Sequence, residues 1–405
     1  MTRLVRSSER RLGVVSIALA LAIVLVPAVV GTKSAEAQTF KVLYTFTNGA
    51  DGGEPYAGLI RDAKGNLYGT TSSGGTHAAG TVFKIDKTGK ETVLYSFTGP
   101  GKDGAFPIGG VILDAGGNLY GTTLDGGTGV CYVGNRDVGC GVVFMVHKSG
   151  KETVLYSFSN TPDGATPEAG LVRDAGGNLY GMTFSGGSST DGTVFKLNKA
   201  GKETVLHSFT GDPDGSAPFD GLVRDKDGNL YGVTELGGNS NAGTVLKLDN
   251  TGTETVLYSF TGAPDGAYPG YGYLWRDAAA DLYGATLEGG AYGYGTVFKL
   301  DKTGKETVLY SFTGTGGDGL WPSAGVVQDV KGNLYGTTYL GGASGYGTIF
   351  KVDKTGKETV LHSFAYETDG EFPVCDLLLD AKGNLYGTAT YGGSDGYGTV
   401  FELTP

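Results

Sequence analysis

The chain has 405 residues, a formal net charge of −11 and 74 glycines. An acidic body without a basic cluster repels phosphate backbones and anionic lipid, which excludes nucleic acid as an expected partner. Glycine without a Gly-X-Y period excludes collagen and points to many short strands joined by turns. One ordinary core would be overfilled at this length, unless repeated units each bring a share of it.

Residues 1–37 read as a secretory signal peptide. Arg3, Arg6, Arg10 and Arg11 form a basic head, and residues 12–30 are apolar with Pro27 near the end. Ala35-Glu36-Ala37 supplies the small residues a signal peptidase accepts, which places cleavage before Gln38. The competing reading is an uncleaved anchor, for which the apolar run is just long enough; Pro27 and the Ala-x-Ala site favour cleavage. The product is expected to be secreted or periplasmic and, once cleaved, free of the membrane.

The remaining chain opens on a strand-like run, 41–46, and then falls into seven units. The first unit holds four short runs rich in Val, Tyr, Phe and Thr: a (58–62), b (66–71), c (Thr81–Ile85) and d (91–97). In d, alternation puts Val93, Tyr95 and Phe97 on one face and Thr92, Leu94 and Ser96 on the other. Leu67-Tyr68-Gly69 in b returns at Leu119, Leu179, Leu230, Leu282, Leu334 and Leu385, each time trailed by a Gly-Gly pair. The units repeat at 51 or 52 residues, except for a step of 61 from Tyr95 to Tyr156, where a longer b–c loop holds Cys131 and Cys140.

The a–b and c–d links are tight turns with Gly where positive φ is needed. The b–c and d–a links are long, so an up-and-down sheet gathers every long loop on one face, where a ligand is expected. Each d–a loop holds Asp-Gly-x-x-Pro, beginning at Asp51, Asp103, Asp163, Asp214, Asp265, Asp318 and Asp369. The last unit ends on a lone c strand, 399–403, which complements the lone opening d strand. Four-stranded units of this length read as propeller blades. The expected fold is therefore all-β: a seven-bladed β-propeller over residues 38–405, built of four-stranded antiparallel blades. Its N-terminal strand lies beside Val400 and closes the last blade, leaving no free sheet edge there. A monomer is expected.

The run Gly65-Asn66-Leu67-Tyr68-Gly69-Thr70-Thr71, followed by Gly74-Gly75 and Gly80-Thr81-Val82-Phe83-Lys84, resembles the GloVer-type tandem repeats of secreted bacterial proteins. The resemblance covers nearly all of residues 40–403 and implies export and a repeat fold. It implies no activity for named residues. The C-terminal sorting segment that many relatives add is absent, so surface anchoring is not expected.

A feature present in every unit serves the unit. The seven Asp-Gly-x-x-Pro acids are expected to form Asx-turns rather than a calcium ring. The Tyr of Leu-Tyr-Gly should be packed with its hydroxyl bonded, and the Gly after it should admit a neighbouring blade. Four histidines without ligand spacing give a zinc site no support, and neither a metal nor a cofactor is expected. Cys131 and Cys140 are expected to form a disulfide, and Cys375 to be a buried apolar residue.

Positions that break the symmetry are more informative. Aromatics precede the loop proline at Phe106, Tyr268, Trp321 and Phe372 and precede strand c at Tyr294, Tyr346 and Tyr397; the fifth unit adds Tyr271, Tyr273, Trp275 and Tyr292. A platform of Trp321, Tyr268, Phe372, Tyr271, Tyr294, Tyr346 and Tyr397 would suit an extracellular glycan or a protein; the competing reading is rings packing loop against loop. Glu168, Asp220 and Asp376 lie at the inner end of strand a, and Glu235 and Glu288 follow strand b. These could serve an acid–base or metal site at the channel mouth, against which stands plain solvated loop charge. The reading is a binding module acting through its long-loop face. The alternatives are a hydrolase or lyase using the channel-mouth carboxylates and a structural or adhesive envelope protein, since propellers host all three.

Overall fold

The structure is a computed structural model that describes residues 38–405 apart from Lys102, Asp220 and Tyr271. The expected signal peptide and the roles expected of Asp220 and Tyr271 lie outside the described residues. Seven antiparallel sheets follow one another in the order a, b, c, d. In blade 1 the strands are Ile60–Arg61, Leu67–Thr71, Thr81–Ile85 and Glu91–Ser96. Strand c matches the sequence expectation residue for residue. Strand a is shorter, because its first residues leave the ladder to meet other blades around the axis.

Blade 7 takes its outer strand from the start of the described chain. Its order is Thr39–Thr45, Thr399–Thr404, Leu385–Ala389, Leu378–Leu379, with Thr39 opposite Thr404 and Tyr44 opposite Val400. The opening and closing strands thus satisfy each other's backbone donors and acceptors, and the series of sheets becomes a closed wheel.

Register shifts once in every c–d pair. In blade 1, Val82 is opposite Tyr95 and Phe83 is opposite Val93, so Leu94 is an extra residue on strand d. Val93 and Tyr95 therefore lie on opposite faces, which corrects the strict alternation expected for strand d. Tyr95 packs with Val82 and Phe97 toward blade 2, whereas Phe83 faces blade 7.

The core is distributed over seven joints between blades. At the centre of each sits the Phe that follows strand d: Phe46, Phe97, Phe158, Phe209, Phe260, Phe312 or Phe364, all 0% exposed. It meets the next blade's strand c edge-on, as in Phe97–Phe144 at 5.0 Å and Phe46–Phe83 at 5.1 Å; Leu246 takes the second place opposite Phe209. Burying such a ring stabilises by about 1.5–3 kcal/mol, and an edge-on aromatic pair adds about 0.5–1.5 kcal/mol. The Gly of Leu-Tyr-Gly makes room for this ring within its own sheet. Gly69 is opposite Phe83, and a Cβ there would come 2.7 Å from the Phe83 ring. The expectation that this Gly admits a neighbouring blade is corrected there, but holds in blade 4, where a Cβ on Gly232 would come 3.2 Å from Met182 of blade 3. The Tyr hydroxyl is bonded: Tyr68 donates to Asp62 at 3.1 Å.

The inserted loop carries a small hairpin, Tyr132–Val133 with Arg136–Asp137, and a Cys131–Cys140 disulfide; Cys375 is buried and free. Among the described residues the one helix is Tyr366–Asp369, and no helix is long and apolar enough to cross a membrane.

Candidate functional site

The site grows out of the way one blade is fastened to the next. Each loop Asp clamps the preceding strand d. Asp103 accepts from the Thr98 amide at 3.0 Å, from the Thr98 hydroxyl at 2.6 Å and from the Tyr95 hydroxyl. His207 and His362 stand in for this Tyr and reach Asp214 at 2.9 Å and Asp369 at 2.6 Å. The repeated acids hold loops in place by accepting from nearby backbone amides, as expected, but those amides lie four or five residues upstream, so the expected Asx-turn geometry is corrected.

Three residues on, just before the proline, every blade has a non-glycine residue in the left-handed region. Glu54, Phe106, Thr166, Ala217, Tyr268, Trp321 and Phe372 have φ between 51° and 57°. Such a conformation costs about 1–2 kcal/mol, and the joint offsets it. The amide of each donates to a carbonyl in the preceding blade's b–c loop: Phe106 to Ala79 and Trp321 to Tyr294 at 3.0 Å, and Glu54 to Tyr397 at 2.9 Å. The following proline seats on a glycine of that same loop. A Cβ on Gly80 would come 2.6 Å from Pro107, and one on Gly398 2.6 Å from Pro55. The joint is main chain and proline, and side chains at several of these positions face the axis.

On the axis lies a cavity of about 910 Å³ to which all seven blades contribute. Its wall is largely apolar, with Leu59, Val111, Leu171, Leu222 and Leu377. Rings of Tyr56, Phe106, Phe219, Trp321 and Tyr339 join it from the long-loop side, with the carboxyls of Glu54, Glu168 and Asp376 and the hydroxyls of Ser72 and Ser323. None of its lining residues is Lys, Arg or His.

Two residues break the ring around the axis. Four positions before the Asp of the a–b turn, five blades carry Gly58, Gly110, Gly170, Gly221 or Gly325; blade 5 carries Tyr273 and blade 7 carries Asp376. A Cβ on Gly221 would fall 1.8 Å from the Tyr273 ring, and one on Gly170 1.9 Å from its hydroxyl. Tyr273 thus crosses the axis into space that only glycine leaves open. Asp376 accepts from the Gly325 amide at 2.9 Å and the Tyr273 amide at 3.3 Å, tying blade 7 to blades 6 and 5.

Burial pushes the Asp376 carboxyl up to about 7, against the pull of those two amides. Burial, with the Glu235 and Asp125 carboxylates adding to it, pushes Glu168 up to about 8. Asp125 is itself raised to about 6 by burial, with Arg136 opposing. Burial thus moves Asp376 and Glu168 toward their protonated forms.

Of the sequence candidates, Trp321, Glu168 and Asp376 meet in this cavity. Phe372 stacks on Tyr339 of its wall, ring centres 4.4 Å apart, and Tyr268 lies in a neighbouring crevice with Phe219 and Glu235. Tyr294, Tyr346 and Tyr397 stand outside the lining, exposed at the joints; Tyr346 leans on Tyr366 with ring centres 5.8 Å apart. Sequence reasoning missed Tyr56, Phe219, Tyr339 and Tyr391. Tyr56 and Tyr391 share a hydrogen bond between hydroxyls at 2.9 Å. The missed signal was positional: Tyr56 and Phe219 directly follow the loop proline, Tyr339 directly follows strand b, and Tyr391 directly precedes the Gly-Gly pair. Among the described residues no group of three or more His, Cys, Asp or Glu is placed to hold a metal ion.

The molecule is thus a seven-bladed β-propeller with an aromatic and acidic cavity on its axis. The family model described as the Gloeobacter/Verrucomicrobia repeat matches residues 30–136, 129–279 and 271–405, and the chain belongs to that family. No protein of curated function matches it. Solved structures are similar at low identity. The extracellular domain of a B. thetaiotaomicron protein provisionally named a one-component system is 10% identical, with a TM-score of 0.54 over 89% of this chain and 39% of that one. A protein provisionally named a gluconolactonase is 15% identical, with a TM-score of 0.40 over 72% of this chain and 93% of its own. A luciferin-regenerating enzyme is 15% identical, with a TM-score of 0.45 over 76% and 92%. At these identities the first shows likeness of fold alone, and the other two carry no argument.

Proposed function

We propose that the protein is an exported binding module that takes a small, ring-bearing ligand, such as the end of an extracellular glycan, into its axial cavity from the long-loop face. One observation carries the reading: a single cavity of about 910 Å³, apolar in its wall and set with aromatic rings and a few convergent polar groups. That is the general make-up of a ligand pocket. Rings offer flat apolar faces to a sugar, and carboxyls accept from its hydroxyls. The N-terminal sequence and the disulfide support export.

Gly110 provides the test. It lines the cavity, has no positive φ, and a Cβ there would meet Gly58 and Ala57 no closer than 3.5 Å. Gly110→Phe should therefore put a ring into the cavity, narrow it and leave the fold intact. A glycan array probed with the wild type, Gly110→Phe and Tyr346→Ala should lose its signals in the first variant and keep them in the second. The reverse pattern moves binding to the rim aromatics and to protein partners.

A hydrolase or lyase is the second reading, favoured by two carboxyls, Glu168 and Asp376, held near their protonated forms in one cavity. Cleavage of a bound glycan that disappears in Asp376→Asn while binding persists would establish it.

A further inference from the structure

We infer that the ligand of the axial cavity is an organic cation, an ammonium group carried on a ring-faced body; this rests on the cavity being the binding site. Net negative charge gathers on the long-loop face. Among the described residues the long loops hold nineteen acidic side chains against one Lys or Arg, Arg136, whereas in the tight turns at the opposite end fourteen lysines stand among thirteen aspartates. A cleft in a face of one sign focuses that field and concentrates ligands of the other sign. The cavity continues the pattern inward, with Glu54, Glu168 and Asp376 in its lining and no basic side chain to answer them.

An anion would meet no Lys, Arg or His in the cavity lining to pair with. A neutral ligand leaves Glu168 in the protonated form that burial favours, whereas a cation beside it favours the carboxylate and pairs with it. The rings beside these acids, Trp321, Tyr339 and Tyr56, offer faces that attract an ammonium group once it is desolvated. A bare divalent ion fits less well, because it needs several oxygens gathered at one point and the wall is mostly hydrocarbon.

A second observation is independent of the acids. Ser323 lies in the cavity wall two residues beyond Trp321, is only 2% exposed, and its hydroxyl has no hydrogen-bond partner. It is the one buried side-chain hydroxyl without a partner among the described residues. A buried hydroxyl left without a partner is unfavourable, and an ammonium N–H is a donor it could accept.

Three probes of similar size separate the possibilities: benzyltrimethylammonium, benzyl alcohol and benzoate, with benzylammonium added to supply an N–H. Ligand-observed NMR titration of the mature protein should show each cation binding at least about tenfold tighter than benzyl alcohol, and benzoate weakest. Gly110→Phe should weaken the binding of every probe. Glu168→Gln and Glu54→Gln, each checked for fold by circular dichroism, should lower the preference for the cation while keeping the alcohol. Ser323→Ala should weaken benzylammonium more than the trimethyl probe, which has no N–H to donate. If benzyl alcohol or benzoate binds as tightly as the cations, and Gly110→Phe still weakens it, the charge inference is wrong and the cavity reading stands. If no probe binds up to about 10 mM, or binding is unchanged in Gly110→Phe, the cavity reading falls and the inference with it.

Discussion

Closure of the wheel can be measured at a single ring. Phe46 belongs to the joint between blades 7 and 1; it is 0% exposed and packs 5.1 Å from both Phe83 and Tyr44, within a cluster that includes Leu59, Leu67, Ile85, Tyr386 and Val400. Phe158 occupies the same place between blades 2 and 3, 5.1 Å from Phe195 and equally buried. Replacing a fully buried Phe by Ala costs about 3–5 kcal/mol, the lost transfer energy plus the cavity left behind. In a closed wheel the terminal joint is no different from an internal one. Phe46→Ala and Phe158→Ala should then shift the denaturant midpoint alike, agreeing within about 1 kcal/mol, and deletion of residues 38–46 should cost more than either. In an open array the first strand would contact one blade only, and Phe46→Ala would be nearly silent. A midpoint for Phe46→Ala close to the wild type, with Phe158→Ala fully destabilised, would refute the closed wheel.

The axial glycines make a second comparison. Gly325→Ala would set a Cβ 2.2 Å from the Tyr273 carbonyl oxygen, so it should cost about 1–3 kcal/mol as overpacking. Gly110→Ala, with no neighbour inside 3.5 Å, should stay within about 0.5 kcal/mol of the wild type; equal effects would contradict the described axis. Stability should also depend on pH. Burial, with a neighbouring clamp Asp adding to it, raises the carboxyls of Glu91, Glu152, Glu203, Glu254, Glu306 and Glu358 to about 7 from an ordinary 4.5. A folded value above the unfolded one gives stability that is full below about 4.5 and lost as pH rises through about 7. At Asp62 burial works upward, but hydrogen bonds from Asn66, Tyr68 and Lys64 outweigh it and its carboxyl lies low, so that contribution is lost only in stronger acid. The melting temperature should therefore be higher near pH 5.5 than near pH 8, with a smaller difference in Glu203→Gln; a rise toward pH 8 would count against the buried glutamates. Finally, thiol titration of the denatured, unreduced protein should find one free group, Cys375, and three would exclude the Cys131–Cys140 bond.

Much of the fold was legible because the chain repeats itself. Seven copies of Leu-Tyr-Gly set the number of blades, and the unmatched strands at 41–46 and 399–403 gave the closure. What stayed hidden depends on three dimensions. The extra residue at Leu94 leaves the pattern Val93-Leu94-Tyr95 looking regular, because its neighbours are apolar in either register. The left-handed residue before each proline is never glycine, so nothing in its identity betrays the conformation. The same holds on the axis: Tyr273 could be noticed as an oddity of blade 5, but its path depends on Gly170 and Gly221 of two other blades. The acids showed the same limit: Glu168 and Asp376 were picked out for breaking symmetry, but whether they met was a question for the fold. Tyr294, Tyr346 and Tyr397 share a motif, and that motif belongs to the joints rather than to the cavity lining.

The left-handed position before the loop proline has a consequence for how such proteins diversify. Its amide and the adjoining proline do the fastening, and here the position is occupied by Glu, Phe, Thr, Ala, Tyr, Trp and Phe around the wheel. Duplicating a blade therefore copies the fastening together with one side chain free to vary. Seven such places permit many combinations of chemistry at the mouth, and selection can explore them while the instructions for assembly remain untouched.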